Sequence, residues 1–297
     1  MFLPGLVLIH QAGLPAWIPF YKNTLDSAII DGKKSFFPSP QWYSKTQTDE
    51  FQVEVAKDFF MKRDYVDTIV QRIAAVPLRN NRNYVYSDLG MILMTFLIKN
   101  ITGQTLDEYA ETNFYGPLSM SRTLFNPLHR YADTMIAPTE EDNYFRMQQL
   151  CGHVHDMGAG MLGGVSGHAG LFSTSRDLAV LLQMLLNGGE YAGVRYLKPE
   201  TVALFTQRQG GSTRRGYGWD MKELDSSKTM NMSTLASSNT FGHTGFTGNA
   251  AYVDPDKHLV YVFLSNRTYP NMENNKLISG NYRPRIQSVI YEAMKGK

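Results

Sequence analysis

The chain has 297 residues, of which 43% are hydrophobic and 12% aromatic, enough to fill the core of one large domain or two intertwined subdomains. Its 29 basic and 27 acidic residues leave a net charge of +2 without a long run of one sign. This balance excludes the charge pattern of a nucleic-acid or anionic-membrane binder and favours a small or peptide-like ligand.

The N-terminal segment MFLPGLVLIH is apolar, but the first charged residue is Lys22, so the segment lacks the cationic start of a signal peptide. No stretch reaches the roughly 18 apolar residues that a transmembrane helix needs. The single cysteine, Cys151, excludes an internal disulfide and is more typical of a small core residue than of a nucleophile. The sequence therefore predicts a soluble chain without a targeting signal.

The first fifty residues show no clear helical or strand period. Residues 10–15 predict a loop, and residues 31–50 mix prolines and lysines with aromatic side chains. An aromatic loop of this length can act as a substrate lid, but we interpret it as a surface excursion held by its own aromatic residues. We expect irregular structure up to about Glu50.

Helical periods dominate the middle of the chain. An apolar stripe from Tyr65 to Ile73 ends before Pro77, and a second stripe from Leu89 ends at Gly103. A capping box, a leucine stripe closed by two glycines and an N-terminal proline predict three further helices, which begin near Thr105, Leu178 and Pro199.

Only the last third of the chain has a strand pattern. Residues 249–253 and 259–264 flank a turn with the sequence DPDK, which predicts a β-hairpin, and an amphipathic helix behind Pro284 can cover it. We predict one domain over residues 1–297, with a mostly helical subdomain at 60–206 and a sheet with a C-terminal helix at 207–297.

Histidines 153, 155 and 168 lie in a glycine-rich segment and suggest a metallohydrolase. Alternate residues must converge on one ion for such a site, and a hydrolytic zinc site needs three convergent ligands plus an open position, so we rank this hypothesis low. The segment GVSGH, which contains Ser166, misses the Gly-x-Ser-x-Gly pattern of a nucleophile elbow because its last glycine is displaced. We interpret Ser166 as a small residue in a glycine-rich turn.

Two tripeptides carry the better candidates for chemistry. Tyr86, Ser87 and Asp88 stand where an irregular stretch gives way to a helix, so Ser87 or Asp88 can cap that helix, and Tyr86 can relay a proton if cations lower its pKa from about 10. Downstream, His243 can hydrogen-bond or carry charge, the Thr244 hydroxyl can bind a carboxylate, and Gly245 leaves room for a peptide-like substrate.

In this order, Tyr-Ser-Asp at a helix start and His-Thr-Gly before a hairpin resemble the serine β-lactamase and penicillin-binding-protein superfamily, in its class C-like branch. The segments HQAGLPAW, GHAGLFSTSRDLAVLLQMLLNGG, GYGW and YVFLSNR agree with that branch over essentially the whole chain. The longer segments look most like a serine-hydrolase module that some bacterial envelope proteins carry behind a family-3-type glycoside hydrolase. The resemblance implies an α+β, β-lactamase/DD-peptidase-like fold, with an antiparallel sheet flanked by helices and a helical subdomain.

The family forms an acyl-enzyme on a serine, and the resemblance gives the matching residues of this chain supporting roles. Tyr86 would accept and return the proton, Asp88 takes the place of the usual asparagine, and His243 takes the place of the lysine. Thr244 would hold a substrate carboxylate, and the Phe246 N–H would form one arm of the oxyanion hole. No cofactor and no metal are implied.

Two of these residues depart from the family pattern. Histidine in place of lysine replaces a permanent cation with one that titrates near 6.5, which weakens recognition of a penicillin-type carboxylate at neutral pH. The carboxylate of Asp88 can raise the pKa of Tyr86 or pair with the lysine of the family. Both departures argue against an efficient β-lactamase.

A larger departure concerns the nucleophile, because no serine in the chain is followed by a lysine three residues later. In the family the Ser-x-x-Lys motif precedes the loop that residues 10–14 resemble, together with an N-terminal helix and the first strands. We therefore expect a chain truncated at its N-terminus and inactive alone, with an unpaired sheet edge that promotes self-association or rearrangement, or with poor order near its start.

Three hypotheses follow. The first is a β-lactamase-related serine hydrolase acting on an ester, a D-amino-acid peptide or a β-lactam-like amide, and located by family inference in the periplasm or cell envelope. The second is a noncatalytic binding module that keeps the pocket. The third is the metallohydrolase with His153, His155 and His168.

Overall fold

The structure is a computed structural model that describes residues 4–210 and 214–295. Residues 1–3, 211–213 and 296–297 belong to the predicted domain span but lie outside the described residues. The α-helices of the described residues are α1 (Pro4–Leu8), α2 (Tyr65–Ala74), α3 (Asp88–Thr102), α4 (Leu106–Ala110), α5 (Met157–Met161), α6 (Ser175–Leu186), α7 (Pro199–Thr206), α8 (Lys276–Ser279) and α9 (Tyr282–Lys295).

Helices α2, α3, α4, α6, α7 and α9 confirm the predicted ones, and their ends follow from local chemistry. Helix α4 begins with a capping box in which the Thr105 N–H donates to Glu108 Oε2 at 2.9 Å. The Thr174 hydroxyl accepts from the Asp177 N–H and caps α6, while Gly103 ends α3 with a φ of 75°. No helix in the described ranges is both long enough and apolar enough to cross a bilayer.

The strands, in chain order, are β1 (Leu25–Ile30), β2 (Lys33–Pro38), β3 (Tyr43–Ser44), β4 (Phe51–Ala56), β5 (Phe59–Lys62), β6 (Leu124–Phe125), β7 (Pro138–Asp142), β8 (Gln148–Cys151), β9 (Leu171–Phe172), β10 (Glu190–Tyr191), β11 (Val194–Arg195), β12 (Asp220–Met221), β13 (Phe241–Thr244), β14 (Ala250–Asp254) and β15 (Leu259–Phe263). The largest sheet is antiparallel in the order β12-β13-β14-β15. The predicted hairpin is its β14–β15 pair, with Tyr252 opposite Tyr261.

Helices cover both faces of this four-stranded sheet. Alternate residues of β14 and β15 point to opposite sides, so Val253 packs with Leu182 of α6, while Tyr252 and Tyr261 pack with Tyr291 of α9. In the described residues the sheet has four strands rather than five, and β15 pairs on one side only. The arrangement confirms the predicted α+β class, with an antiparallel sheet between helices.

The prediction of irregular structure before residue 50, and of strands only in the last third, was wrong. Strands β1 and β2 form a hairpin, and β3, β5 and β4 form a three-stranded sheet. The hairpin turn uses Asp31 and Gly32, both with positive φ. Ile29, Ile30, Phe36 and Phe37 are all exposed, so no buried face imposes the alternating pattern from which strands are recognised.

One charged side chain organises the core beside α5. Arg146 is fully buried, and its Nε donates to Asp142 Oδ2 at 2.6 Å, while its two terminal nitrogens donate to the carbonyls of Val154 and His155 at 2.7 and 2.6 Å. The carboxylate of Asp142 also accepts the N–H of Phe145 at 2.8 Å. This guanidinium therefore joins the β7–β8 pair to the segment that enters α5.

Candidate functional site

The first wall of the candidate site is the start of α3. Ser87 has an extended backbone before the helix, and its hydroxyl donates to the carbonyl of Pro15 at 2.7 Å. Its N–H donates to Nδ1 of His10 at 3.1 Å, and the Asp88 N–H donates to the carbonyl of Ala16 at 3.0 Å. These bonds dock the loop of residues 10–16 onto the helix start and present Tyr86, which is 43% exposed, so that more than half of its surface is covered.

The second wall is the end of β13 and the turn that follows it. Gly242 pairs with Tyr252 so closely that a Cβ at this position would lie 2.1 Å from the carbonyl oxygen of Ala251. The Gly245 N–H donates to the Asn249 carbonyl at 2.9 Å, which closes a tight turn and leaves Phe246 exposed. This strand ends with His243, predicted as a catalytic residue, and Thr244, predicted to bind a substrate carboxylate.

The fold brings the two walls together. The rings of Tyr86 and His243 lie 5.9 Å apart between centroids, and the His10 ring lies 4.4 Å from that of Tyr86. His243 Nδ1 is 2.7 Å from the carbonyl of Thr244, so Nδ1 carries the proton. Nε2 is then the acceptor that faces both terminal nitrogens of Arg215 at 3.4 Å.

Residues His10, Arg215 and Asp220 complete this cluster, and none was predicted as a site residue. Arg215 forms a buried salt bridge with Asp220, and its guanidinium lies 5.9 Å from the Tyr86 ring. His10 lies in the HQAGLPAW segment, whose family resemblance was the only sequence signal for it. Arg215 and Asp220 flank the GYGW segment, but nothing in their spacing indicated a position beside His243.

Burial, more than the charges around it, lowers the pKa of His243. Asp220 opposes this effect of burial on the pKa, and Arg215 adds to it. Burial disfavours ionisation of Asp220, but Arg215, followed by His243 and Arg214, lowers the pKa of its carboxyl below the usual range. At neutral pH the positive charge beside the end of β13 is therefore carried by Arg215, which is already paired with Asp220. His243 does not supply it.

The expectation that cations lower the pKa of Tyr86 is not met in this arrangement. Burial raises the pKa of Tyr86 to about 12, the Asp88 carboxylate adds to the rise, and Arg215 opposes it. The contribution of Asp88 agrees with the predicted effect of replacing asparagine by aspartate. Tyr86 is thus a protonated phenol at neutral pH, able to donate a hydrogen bond.

A second cluster lies on the other side of the α3 start, around Asp88. The His168 ring lies between two side chains. Its Nδ1 is 2.8 Å from Ser166 Oγ, and its Nε2 is 2.8 Å from Asp156 Oδ1. The same Asp156 oxygen accepts the Ala159 N–H at 2.8 Å and caps α5. Ser166 is therefore more than a small residue in a turn, because its hydroxyl holds one end of a buried histidine.

The three histidines proposed for a metal site point to different partners. His153 Nε2 is 4.0 Å from Glu54, His155 Nε2 is 3.5 Å from Glu140, and His168 binds Asp156. In the part of the chain that the structure describes, no three metal-ligating side chains converge. The described residues therefore give no support to a metal site formed by His153, His155 and His168, because the glycine-rich segment turns these side chains in separate directions.

His10 gives the site a measurable dependence of stability on pH. Burial lowers the pKa of His10 to about 3, with Arg215 and His243 adding to the effect. The unfolded chain takes up a proton here below about pH 6.5, while the folded chain takes it up only near pH 3, so stability falls as pH falls between these values. This histidine alone contributes a slope of at most about 1.4 kcal/mol per pH unit.

We expect His10→Asn to flatten this acid loss of stability. Asparagine can accept the Ser87 N–H through Oδ1 and tolerates the positive φ of 57° found at this position. Urea unfolding at pH 7, 6, 5 and 4 should give a smaller decrease for the variant than for the parent chain. Parallel curves for the two proteins would contradict a neutral, buried His10.

Comparison with known proteins places these features in a family. Residues 7–279 match the family model described as Beta-lactamase. A curated protein of Salmonella paratyphi B named "Putative D-alanyl-D-alanine carboxypeptidase" is 39% identical over 224 residues, which cover 71% of this chain and 52% of that protein. The chain thus spans about half the length of the curated relatives it matches.

Solved structures show the same fold at low sequence identity. A penicillin-binding-protein homologue from Caulobacter crescentus is 17% identical with a TM-score of 0.52, covering 89% of this chain and 65% of that one. The D-amino acid amidase of Ochrobactrum anthropi SV3 is 14% identical with a TM-score of 0.56, covering 99% of this chain and 72% of that one.

Proposed function

Because this chain belongs to the beta-lactamase family, we propose that its candidate site has the walls of an acyl-transfer pocket and binds a D-amino-acid peptide, a related ester or a β-lactam-like amide, which this chain alone does not turn over. The observation that carries the proposal is the meeting of Tyr86 with His243, from segments far apart in the chain, beside Thr244. The name of the Salmonella relative supports a D-amino-acid substrate.

The proposed roles follow the two walls. Thr244 offers a hydroxyl to a substrate carboxylate, and Gly245 beside it carries no side chain that would obstruct the ligand. The Phe246 N–H would stabilise the oxyanion that forms when a nucleophile adds to the substrate carbonyl. Tyr86 would exchange the proton between the nucleophile and the leaving group, while Asp88 and His243 set the charge around it.

We propose that this chain binds its ligand without converting it, and the reason is the high pKa of Tyr86. A tyrosine with a pKa of about 12 is a poor proton acceptor at neutral pH unless a further cation lies beside it. The family supplies such a cation from its Ser-x-x-Lys motif, and no serine of this chain has a lysine at that spacing. The same absence favours the second candidate, a noncatalytic binding module that keeps the pocket.

The decisive experiment combines binding with covalent labelling. We expect saturable binding of D-alanyl-D-alanine by NMR titration, with shifts centred on Tyr86 and His243, and no mass increase after incubation with a fluorophosphonate or a labelled penicillin. The matched control Thr244→Val keeps the side-chain shape and removes the hydroxyl, so it should weaken binding of the carboxylate ligand.

Each alternative result identifies a different error. An adduct on this chain would disprove its inactivity, and absence of any binding would disprove the proposed site. If a longer product of the gene carries Ser-x-x-Lys and still forms no adduct, the noncatalytic binding module is the better description.

Three further features of the chain are proposals as well. We propose the division into subdomains 60–206 and 207–297, a location in the periplasm or cell envelope, and self-association through the one-sided strand β15. That strand has the sequence LVYVF, without the charge or proline that commonly protects a sheet edge. Sedimentation velocity over a concentration series tests the self-association.

A further inference from the structure

The turn that follows β13 leaves one backbone N–H free. The Gly248 N–H donates to the Gly245 carbonyl at 3.0 Å and closes a β-turn, and neither Phe246 nor Thr247 has a positive φ, as a type I turn requires. The peptide bond between Gly245 and Phe246 is trans, so its N–H points away from the carbonyl that Gly248 holds. Among the described residues, the Phe246 N–H has no acceptor.

The turn cannot be stiff by itself, because a glycine lies at each end of it. Gly245 carries no side chain, and Gly248 has a φ of 108° and a position where a Cβ would lie 2.4 Å from Ser265 Oγ. Glycine has more backbone freedom than any other residue. The direction of the Phe246 N–H therefore depends on contacts from outside the turn.

Arg267 supplies these contacts. It is 6% exposed, and its Nε donates to the Phe246 carbonyl at 2.8 Å, while its backbone N–H donates to the Thr247 carbonyl at 2.9 Å. Its Nη1 donates to the carbonyls of Met272 and Asn274 at 2.8 and 3.1 Å. One buried side chain thus ties the turn to the segment before α8.

The ring of Phe246 is held as well. The ring centroid lies 4.3 Å from the Arg267 guanidinium carbon and 5.2 Å from the centroid of the stacked His155 ring. Phe246 is nevertheless 61% exposed, so it gains little from burial. The two contacts restrain this residue and add little to the core.

We propose that Arg267 is a positioning residue, which holds Phe246 so that its N–H can donate to the carbonyl oxygen of a bound ligand. The inference rests on the proposed function and assigns to Arg267 the rigidity that the two glycines cannot give. A donor that is already aimed at its acceptor contributes more to binding, because ordering a loose donor costs free energy.

The test is a pair of variants that separate the Nε donor from the charge. Arg267→Lys keeps the charge but places a methylene where Nε donates to the Phe246 carbonyl. Arg267→Gln removes the charge but places its amide nitrogen at the Nε position. We expect the dissociation constant of D-alanyl-D-alanine, measured by NMR titration, to rise about tenfold in Arg267→Lys and clearly less in Arg267→Gln.

The amide signals distinguish positioning from a general loss of structure. At saturation with ligand, Arg267→Lys should lose most of the ligand-induced shift of the Phe246 amide and keep that of the Thr244 amide. A merely structural role would reduce both shifts. The matched control is Arg195→Lys, which removes guanidinium bonds to the carbonyls of Gly188 and Leu197 at 3.0 and 3.1 Å and should leave affinity and shifts unchanged.

A measurement on the parent chain alone keeps the inference testable if a variant does not fold. The backbone order parameter of the Phe246 amide should reach about 0.85, the value of rigid backbone, in spite of the flanking glycines. A value below about 0.6 overturns the inference.

The other outcomes separate this inference from the proposed function. Unchanged affinity in Arg267→Lys overturns the inference, and so does a larger loss in Arg267→Gln, because the effect then follows the charge. If the parent chain binds the ligand without a shift of the Phe246 amide, the role of Arg267 fails and the site remains. If the parent chain binds no ligand, the proposed function fails and this inference fails with it.

Discussion

Replacing Arg146 with methionine is expected to lower the free energy of unfolding by about 3–5 kcal/mol. The guanidinium is fully buried and satisfies the Asp142 carboxylate and the carbonyls of Val154 and His155. Methionine fills much of the volume but leaves the buried Asp142 charge without its cation and two carbonyls without donors. The cost of these unpaired groups, rather than a lost attraction, dominates the effect.

The matched control for this substitution is Arg130→Met. Arg130 pairs with Glu111 at the surface, where an ion pair is worth about 0–1 kcal/mol. Unfolding of both variants in guanidinium chloride, followed by circular dichroism, should show a large loss of unfolding free energy for Arg146→Met and almost none for Arg130→Met. Similar losses for the two would show that the buried network is not the source of stability.

Substituting Gly242 with alanine is expected to cost about 3 kcal/mol, near the upper end for an overpacked site. The added Cβ would lie 2.1 Å from the Ala251 carbonyl oxygen and 2.7 Å from the Tyr252 Cα, both backbone atoms of β14. Side-chain rotation cannot relieve such a clash, so β13 must move away from β14. We therefore also expect the position of the His243 ring relative to Arg215 and Tyr86 to change.

Gly245→Ala serves as the comparison on the same strand end. A Cβ at this position meets its nearest neighbour, the Asn249 Cβ, at 3.5 Å, an ordinary contact distance. Its stability should stay within about 0.5 kcal/mol of the parent chain. Urea midpoints and the NMR signals of the His243 ring measure both variants. An unshifted His243 signal in Gly242→Ala would contradict the expected displacement of β13.

Elements predicted from the sequence each bury one face, whereas the missed strands include both exposed and buried ones. Helices α2, α3 and α6 each show an apolar stripe because one side packs against the core, and β14 and β15 lie between two helices. The β1–β2 hairpin is exposed on both faces and carries no regular alternation. Strand β4 does alternate apolar and polar residues as FQVEVA, which is a strand signal that the sequence analysis did not use.

Some residues of the candidate site were predicted from the sequence and others were not. Tyr86 and His243 were predicted because each lies in a tripeptide of the family pattern, and the fold brings them together. The roles of Arg215 and of the Asp156–His168–Ser166 chain depend on which loops meet in space. A histidine in a glycine-rich segment gives no indication of whether it faces a metal, a serine or an aspartate until those loops are placed.

The docking of residues 10–16 onto α3 provides an internal reporter of site assembly. The amide protons of Ser87 and Asp88, at the start of α3, are hydrogen-bonded to His10 and Ala16 rather than to solvent. Their exchange with deuterium is slow only while this loop stays docked, whereas amides deep in α3 exchange only when the helix itself opens. The difference between the two rates therefore measures how often the first wall comes apart in an otherwise folded chain.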